Sequence, residues 1–388
     1  MTDYYSNWDF ESDQWVQRLE TNSGLLPTQY LLKNPGDSLV AEQLHCYPKA
    51  KTKFPNWHKN GLVYTKLSFE QSSGEFAAIY KASLVSGNEL WDLTGGLGMD
   101  SFAFSKIAAS VHHNEPNTAL SRIARQNHSI LGATNIFYHD KLAEEIISEI
   151  QYTDTIYLDP SRRSENGRTF LLNDCVPDVT QLLPELKSKA KRVIVKLSPI
   201  YDLRRIQTDL PGTRQIHVIS VSGEVREILA LIDESIPEVT MAVVLPDGLK
   251  ISRERVPQKT LISQHSIPPN SYLHVADPAI YKSETLNAFS ISRDLLRWGT
   301  GGYLFSGTPL ENAGKSYKVK ETITFKPKEL KKRFKGHKIN IHKRNFPIDV
   351  QVLYKSLSTS MGDDFHAFFT TLDDGTKAVC ITEPPVTL

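Results

Sequence analysis

The chain has 388 residues, with 45 Lys/Arg, 44 Asp/Glu and a formal net charge of +1, so bulk charge assigns it no partner. That length exceeds one ordinary core and predicts two or three domains, and 40% hydrophobic with 23% charged residues is the composition of a globular chain. Residues 1–6 have no basic stretch followed by an apolar run, and no segment approaches the roughly 18 apolar residues of a membrane helix. Cys46, Cys175 and Cys380 make neither a CxxC pair nor a zinc spacing, so the prediction is a cytoplasmic protein without signal peptide, membrane span or metal.

From the N-terminus, residues 13–19 and 39–44 space their apolar side chains near 3.6, predicting a helical region over 1–85 that includes the loop Phe54-Pro55-Asn56-Trp57. Over 86–248 the pattern changes. Short β-rich runs at 89–93, 110–115, 135–139, 155–159 and 192–197 alternate with helix candidates such as 118–131 and 174–187. Alternation of this kind predicts an α/β domain, parallel strands with crossover helices on both faces. It closes differently: 215–221 and 225–231 flank Ser222-Gly223 and read as a hairpin, so the parallel sheet ends in an antiparallel pair. A linker containing Pro257, Pro268 and Pro269 leads to a helix candidate at 277–298 and a glycine break at 299–302. A β–α–β–α–hairpin run follows, with Asp374-Gly375 in its last turn. Residues 315–344 hold twelve Lys/Arg against two acids, Glu321 and Glu329, so the remainder is net acidic. A local basic field of this kind is a binding-surface signal.

The densest chemistry begins where the first strand ends. Asp92-Leu93-Thr94-Gly95-Gly96-Leu97-Gly98-Met99-Asp100 joins a strand to a helix through glycines, a corner where backbone N–H groups meet an anionic or nucleoside ligand. The dinucleotide fingerprint fails at its third glycine, where Ser101 stands, and no Lys follows to make a Walker A loop. The form D-x-T-G-G-x-G matches instead the first motif of class I methyltransferases. Candidate cofactor contacts are therefore Asp92, Thr94, Gly95, Gly96, Gly98 and Asp100, with Glu115 after the second strand for ribose hydroxyls and Asp140 after the third for an adenine amine.

The fourth strand runs into Asp159-Pro160-Ser161-Arg162-Arg163 on the same rim. Methyl transfer requires the acceptor to be held in near-attack geometry and relieved of a proton. Asp159 and Pro160 suit an amine acceptor, which makes Asp159, Pro160, Ser161 and Lys196 the catalytic candidates. Nucleobase amino-methyltransferases usually carry an aromatic two residues after the first proline; Arg162 stands there, so a stacked base needs an arginine plane or an aromatic such as Tyr201 or Phe170. Ser161, Arg162 and Arg163 are alternatively placed to hold a phosphate. Lys196, closing the fifth strand, either binds a substrate anion or pairs with Asp159, and Glu224 and Glu227 follow on the hairpin.

Three stretches together resemble the bacterial class I methyltransferase family of Bacteroidetes type with a C-terminal THUMP-like domain. They are Ser68–Glu75, the pair Tyr157–Arg163 with Lys196–Pro199, and His342–Pro347. The resemblance covers nearly the whole chain and includes 50–57. It implies S-adenosylmethionine as cofactor, a small ferredoxin-like unit at 249–315 and a THUMP-like domain at 316–388. Gln71 and Ser73 are implied as cofactor contacts, with Gly74 inserted ahead of Glu75 relative to the family pattern. True THUMP domains bind structured RNA, and the basic stretch lies in the matching segment, so Lys331, Lys332, Arg333, Lys343 and Arg344 are implied as RNA contacts. Methylation of a nucleobase amine in tRNA or rRNA is the resulting expectation. Methylation of a protein or small molecule, or RNA binding without catalysis, are the alternatives.

Overall fold

The computed structural model describes residues 5, 8–10, 13–162, 171–245, 250–252 and 263–386. Its contacts divide the chain into two compact units, residues 1–216 with 227–239, and residues 217–226 with 240–388.

The first unit opens with five helices, α1 (Gln14–Thr21), α2 (Pro27–Lys33), α3 (Ser38–Lys53), α4 (Lys66–Gln71) and α5 (Glu75–Ala82). Their buried Trp15, Tyr30 and Phe69 share one apolar cluster with Phe54 and Tyr64 from the segment between α3 and α4, and with Leu97, Met99 and Phe102 beside the glycine loop. The N-terminal region is thus a packing partner of the α/β layer rather than a separate body. The expected loop at Phe54–Trp57 is closed by Glu75, which accepts from the Asn56 N–H at 2.9 Å and its Nδ2 at 2.6 Å.

Beyond α5 come β1 (Glu89–Asp92), α6 (Met99–Phe104), β2 (Ser110–Asn114), α7 (Thr118–Ile130), β3 (Ile136–His139), α8 (Ala143–Glu149), β4 (Thr153–Leu158), α9 (Val179–Lys189) and β5 (Ala190–Leu197). A short helix α10 (Ile206–Asp209) precedes β6 (Thr213–Val221) and β7 (Glu224–Ile232). Within the unit the strands run β3-β2-β1-β4-β5-β7. The first five are parallel and β7 is antiparallel to β5, with Val195 opposite Ala230. The order reverses between β1 and β4, the switch point outside which such sheets bind ligands. Ser222 and Gly223 both have positive φ (55° and 75°), the twist-matched turn that joins β6 to β7 as the sequence predicted.

One helix starts later than expected. Residues 175–176 pair with Ser161–Arg162 in a two-stranded ladder, and α9 begins only after Asp178, whose carboxylate caps the Thr180 and Gln181 N–H groups.

The second unit contains the antiparallel pair β8 (Thr240–Val244) and β9 (Lys250–Ser252). Its larger sheet is built from β10 (Ser263–Gln264), β11 (Tyr272–Ala276), β12 (Leu296–Trp298), β13 (Tyr303–Ser306), β14 (Gly314–Thr324), β15 (Lys338–Lys343), β16 (Ser360–Thr371) and β17 (Lys377–Pro385). The strands lie in the order β10-β12-β13-β11-β14-β17-β16-β15. The boundary expected at 315/316 falls inside β14, which pairs with β11 on one side and β17 on the other, so the two expected modules share one sheet. The helix expected at 277–298 is instead α11 (Pro278–Lys282), α12 (Leu286–Ser292) and then β12. Glu284 (φ 56°) and Asp294 (φ 51°) take left-handed backbone and stop each helix without a glycine to announce it. Two further helices, α13 (Pro327–Arg333) and α14 (Val350–Leu357), cover buried Ile339, Ala367 and Phe369. Among the described residues no helix is long and apolar enough to cross a membrane.

Candidate active site

The glycine loop is tied to both neighbouring strands. Leu93 N–H donates to Tyr157 O at 3.0 Å and Gly95 N–H to Asn114 O at 2.8 Å. A β-carbon on Gly95 would stand 2.2 Å from Cε1 of His113, so the imidazole ring fills the place of a side chain. A β-carbon on Gly96 would meet only Thr94 O, at 3.8 Å, but its φ is 56°, and its N–H donates to Glu115 Oε2 at 2.9 Å. Glu115 also accepts from the Asn117 N–H at 2.8 Å, so this carboxylate bridges the glycine loop to the turn after β2.

Asp92, at the end of β1, is only 1% exposed. It accepts from the Thr94 N–H at 3.2 Å and from Ser101 Oγ at 2.6 Å. The residue that spoils a dinucleotide fingerprint is therefore a buried hydrogen-bond donor. Burial, with the charge of Asp100, pushes the Asp92 carboxyl up to about 7. Ser101 Oγ also lies 2.9 Å from Nδ1 of the fully buried His113. His128 Nε2 donates to Gly98 O at 2.7 Å, which leaves Nδ1 to accept from Tyr138 O–H at 3.0 Å. Burial lowers the His128 pKa to about 4, consistent with that neutral form.

Asp159 follows β4, and its N–H donates to Thr94 Oγ1 at 2.6 Å. This bond fixes the predicted transfer residue to the predicted cofactor loop. Its Oδ2 takes a 2.5 Å hydrogen bond from Lys196 Nζ. Of the two roles open to Lys196, this structure shows the pairing. Burial raises the Asp159 pKa, while Lys196 works against that rise. Burial opposes the charge on Lys196, but Asp159, Glu227 and Asp100 outweigh it and hold the ammonium above its ordinary range. Pro160 is half-buried, and the exposed Ser161 points Oγ at Val176 O, 3.4 Å away. Tyr201 is unsuited to stack on a base: it is 3% exposed and its hydroxyl is spent on Asp209. Phe170, Arg163 and the Arg162 side chain lie outside the described residues.

A buried charge network lies behind this rim, and it was not legible beforehand. Lys81 of α5 is wholly buried and contacts Asp100 Oδ2 at 2.8 Å and Glu227 Oε2 at 2.9 Å. Ser73 and Tyr157 donate to the same Asp100 oxygen at 3.0 and 2.9 Å. A faint signal exists in Glu75-Phe76-Ala77-Ala78-Ile79-Tyr80-Lys81-Ala82, where Lys81 falls on the face of Ala77 and Ala78. Ser73 is thus brought to the loop, whereas Gln71, the last residue of α4, is exposed. Asp140 is exposed after β3, in a cleft shared with Thr118, Arg122, Arg125 and Tyr138. Among the described residues no group of three or more His, Cys, Asp or Glu is arranged to hold a metal.

In the second unit the basic residues divide into two kinds. Lys331 and Lys332 of α13 are exposed, as are Lys328 and Lys335, while Leu330 and Phe334 anchor the segment in the core. Three of the expected RNA contacts are engaged internally. Arg333 pairs with Glu321, Lys343 with Asp349 at 2.8 Å, and the Arg344 guanidinium sits 3.5 Å from the centre of the Tyr281 ring. The motif His342–Pro347 thus has a structural role. Asn345 Nδ2 donates to Thr300 Oγ1 at 2.5 Å, and a β-carbon on Gly301 would meet Arg344 Cβ at 2.6 Å, so the glycine break admits this backbone.

Comparison with known proteins agrees with this architecture. A solved structure from Porphyromonas gingivalis W83, described as a candidate methyltransferase, superposes with a TM-score of 0.78 over 95% of this chain and 97% of that one, at 24% identity. The fold is that of a class I methyltransferase. Residues 314–384 of this methyltransferase-fold chain match the family model for THUMP domain-like sequences. Two curated relatives from Mycobacterium tuberculosis, strains CDC 1551 / Oshkosh and ATCC 25618 / H37Rv, are named uncharacterized S-adenosylmethionine-dependent methyltransferases. Each is 25% identical over 173 residues, 45% of this chain and 46% of the relative. The alignment therefore spans about half the length of the curated relatives it matches.

Proposed function

We propose that this chain is an S-adenosylmethionine-dependent methyltransferase acting on a nucleobase amine in structured RNA. The observation that carries the reading is the bond from Asp159 N–H to Thr94 Oγ1, which joins the acceptor end of β4 to a glycine loop with no room for a side chain at Gly95. The residues fit the cofactor. Asp100, Glu227 and Asp159 pair with Lys81 and Lys196, while Asp92 and Glu115 accept only from Ser101 and backbone N–H groups among the described residues, an acidic excess suited to a ligand that carries an ammonium and a sulfonium. When bound, the cofactor supplies an electrophilic methyl group. The loop N–H groups and Asp92 would receive its amino-acid end, Glu115 its ribose hydroxyls and Asp140 its adenine amine. Asp159 accepts an N–H of the acceptor amine, orienting the lone pair and then taking the released proton, while Lys196 holds the carboxylate in place.

Isothermal calorimetry with S-adenosylhomocysteine tests the cofactor site. Binding is expected to be tightest above pH 7. Its cationic amino group favours ionised Asp92, whose carboxyl is pushed up to about 7 by burial, so affinity falls by up to about tenfold per unit at lower pH. No heat at any pH overturns the reading.

The RNA part of the proposal is supported by the THUMP-like match and by the exposed lysines of α13. Lys331→Glu with Lys332→Glu is expected to weaken filter-bound tRNA at least ~10-fold at low salt and to flatten the salt dependence, since each lost phosphate contact takes about one unit from that slope. Unchanged affinity would move the acceptor from RNA to a protein or small molecule.

A further inference from the structure

Lys81 carries no motif and belongs to none of the three stretches that mark the chain, yet its side chain has no exposed surface. We infer that Lys81 is a positioning residue for the transfer site: by pairing with Asp100 and Glu227 from the α5 side, it leaves Lys196 to Asp159. The inference rests on the function proposed above.

A cluster of three carboxylates and two ammoniums has more than one way to pair. Asp100, Glu227 and Asp159 all act on Lys196, but the bond it makes is to Asp159. Lys81 decides this allotment through its contacts with Asp100 and Glu227. Its remaining contacts are Ser73 and the Tyr157 hydroxyl, the latter at 3.4 Å, so the ammonium is satisfied where it stands. Asp100 depends heavily on that side. Oδ2 gathers Lys81, Ser73 and Tyr157, whereas Oδ1 is buried with no hydrogen-bond partner among the described residues. Burial works against the charge on Asp100, and Lys81 first, then Lys196, reverses the balance and holds its pKa below the ordinary value. The groups facing Asp100 are therefore Ser73 and Lys81 from the N-terminal segment, Asp92 of β1, Tyr157 and Asp159 of the β4 end, and Lys196 of β5.

Removing Lys81 strips two buried carboxylates of their counter-ion, and an unpaired buried charge is not tolerated. They must then take up protons or draw Lys196 away from Asp159. Either event changes the group that orients the acceptor amine, although Lys81 itself touches no substrate.

The test uses full-length protein with 13C-labelled lysine. The Lys196 side-chain resonance, identified by its loss in Lys196→Met, is followed by NMR together with calorimetry of S-adenosylhomocysteine. In Lys81→Met the Lys196 resonance is expected to shift by more than its linewidth. In Lys81→Met with Glu227→Gln, which leaves Asp100 as the one carboxylate deprived of Lys81, it is expected to move back toward its wild-type position, and methyl transfer at saturating cofactor should recover part of a loss of at least ~10-fold. A lysine needed only for packing would not be rescued by removing a charge elsewhere. An unmoved Lys196 resonance in folded Lys81→Met overturns the inference, as does a double variant that stays displaced as far as the single one. If Lys81→Met alone does not fold, Lys81→Gln, which removes the charge but keeps polar groups for Ser73 and Asp100, is read in its place: a displaced Lys196 resonance supports the inference and an unmoved one overturns it. Failure of wild-type protein to bind S-adenosylhomocysteine is a distinct result and strikes the proposed function instead.

Discussion

Asp159→Ala is expected to slow methyl transfer on the order of 10³-fold while leaving S-adenosylhomocysteine affinity within about threefold. The separation follows from where the residue sits. Its backbone N–H, retained in the variant, makes the bond to Thr94 Oγ1, so the loop stays anchored. Its carboxylate faces Lys196 and not the loop glycines, and is about one-third exposed, open to an acceptor. The released Lys196 still has Glu227 and Asp100 acting on it, so no buried cation is stranded. The assay is transfer of labelled methyl to RNA from cells lacking the gene. Equal rates for variant and wild type would remove Asp159 from the mechanism, and a parallel collapse of cofactor affinity would make it a binding residue instead.

Gly95→Ala should damage the loop severely through a single added methyl group. The new carbon would lie 2.2, 2.4 and 2.7 Å from three atoms of one imidazole, that of His113, which is fully buried and held by Ser101. The ring cannot retreat like the end of a flexible chain, so the loop must lift from β2 or the ring must leave its site. Overpacking of this severity costs about 3 kcal/mol, read as a lower midpoint in urea. S-adenosylhomocysteine affinity is expected to drop with it, because Gly95 N–H anchors the loop on Asn114 O. Gly96→Ala is the control. A β-carbon there meets only Thr94 O at an ordinary 3.8 Å, so only the left-handed backbone is strained, at about 1–2 kcal/mol. His113→Ala in the Gly95→Ala background should return at least half of the lost stability. If Gly95→Ala melts like wild type, the cramped contact with His113 does not hold the loop.

The strands of the first unit were legible to within one or two residues at most ends, because alternation and apolar runs are local properties of a chain. So were the switch to an antiparallel ending, carried by Ser222-Gly223, and the glycine loop with Glu115 phased after β2. Helix ends were less legible. At 277–298 the apolar spacing continues through Glu284 and Asp294, which take positive φ without being glycine, so nothing in composition marks the breaks. Among the basic residues, Lys331 differs from Arg344 only through what folds against it: solvent in one case, the Tyr281 ring in the other.

By itself, the sequence determined the chemistry that depends on neighbours in the chain: a left-handed turn at Gly96 and Gly98, a carboxylate at the ends of β1 to β4, and a proline after Asp159. Tertiary structure alone decided which charges share a counter-ion. Lys81 and Glu227 lie 146 positions apart, and Asp159 and Lys196 lie 37 apart, so their pairing arises only when strands from distant segments enter one sheet. The physical reason is that backbone preference acts over a few residues, whereas desolvated charge acts on whatever the fold brings within a few ångströms.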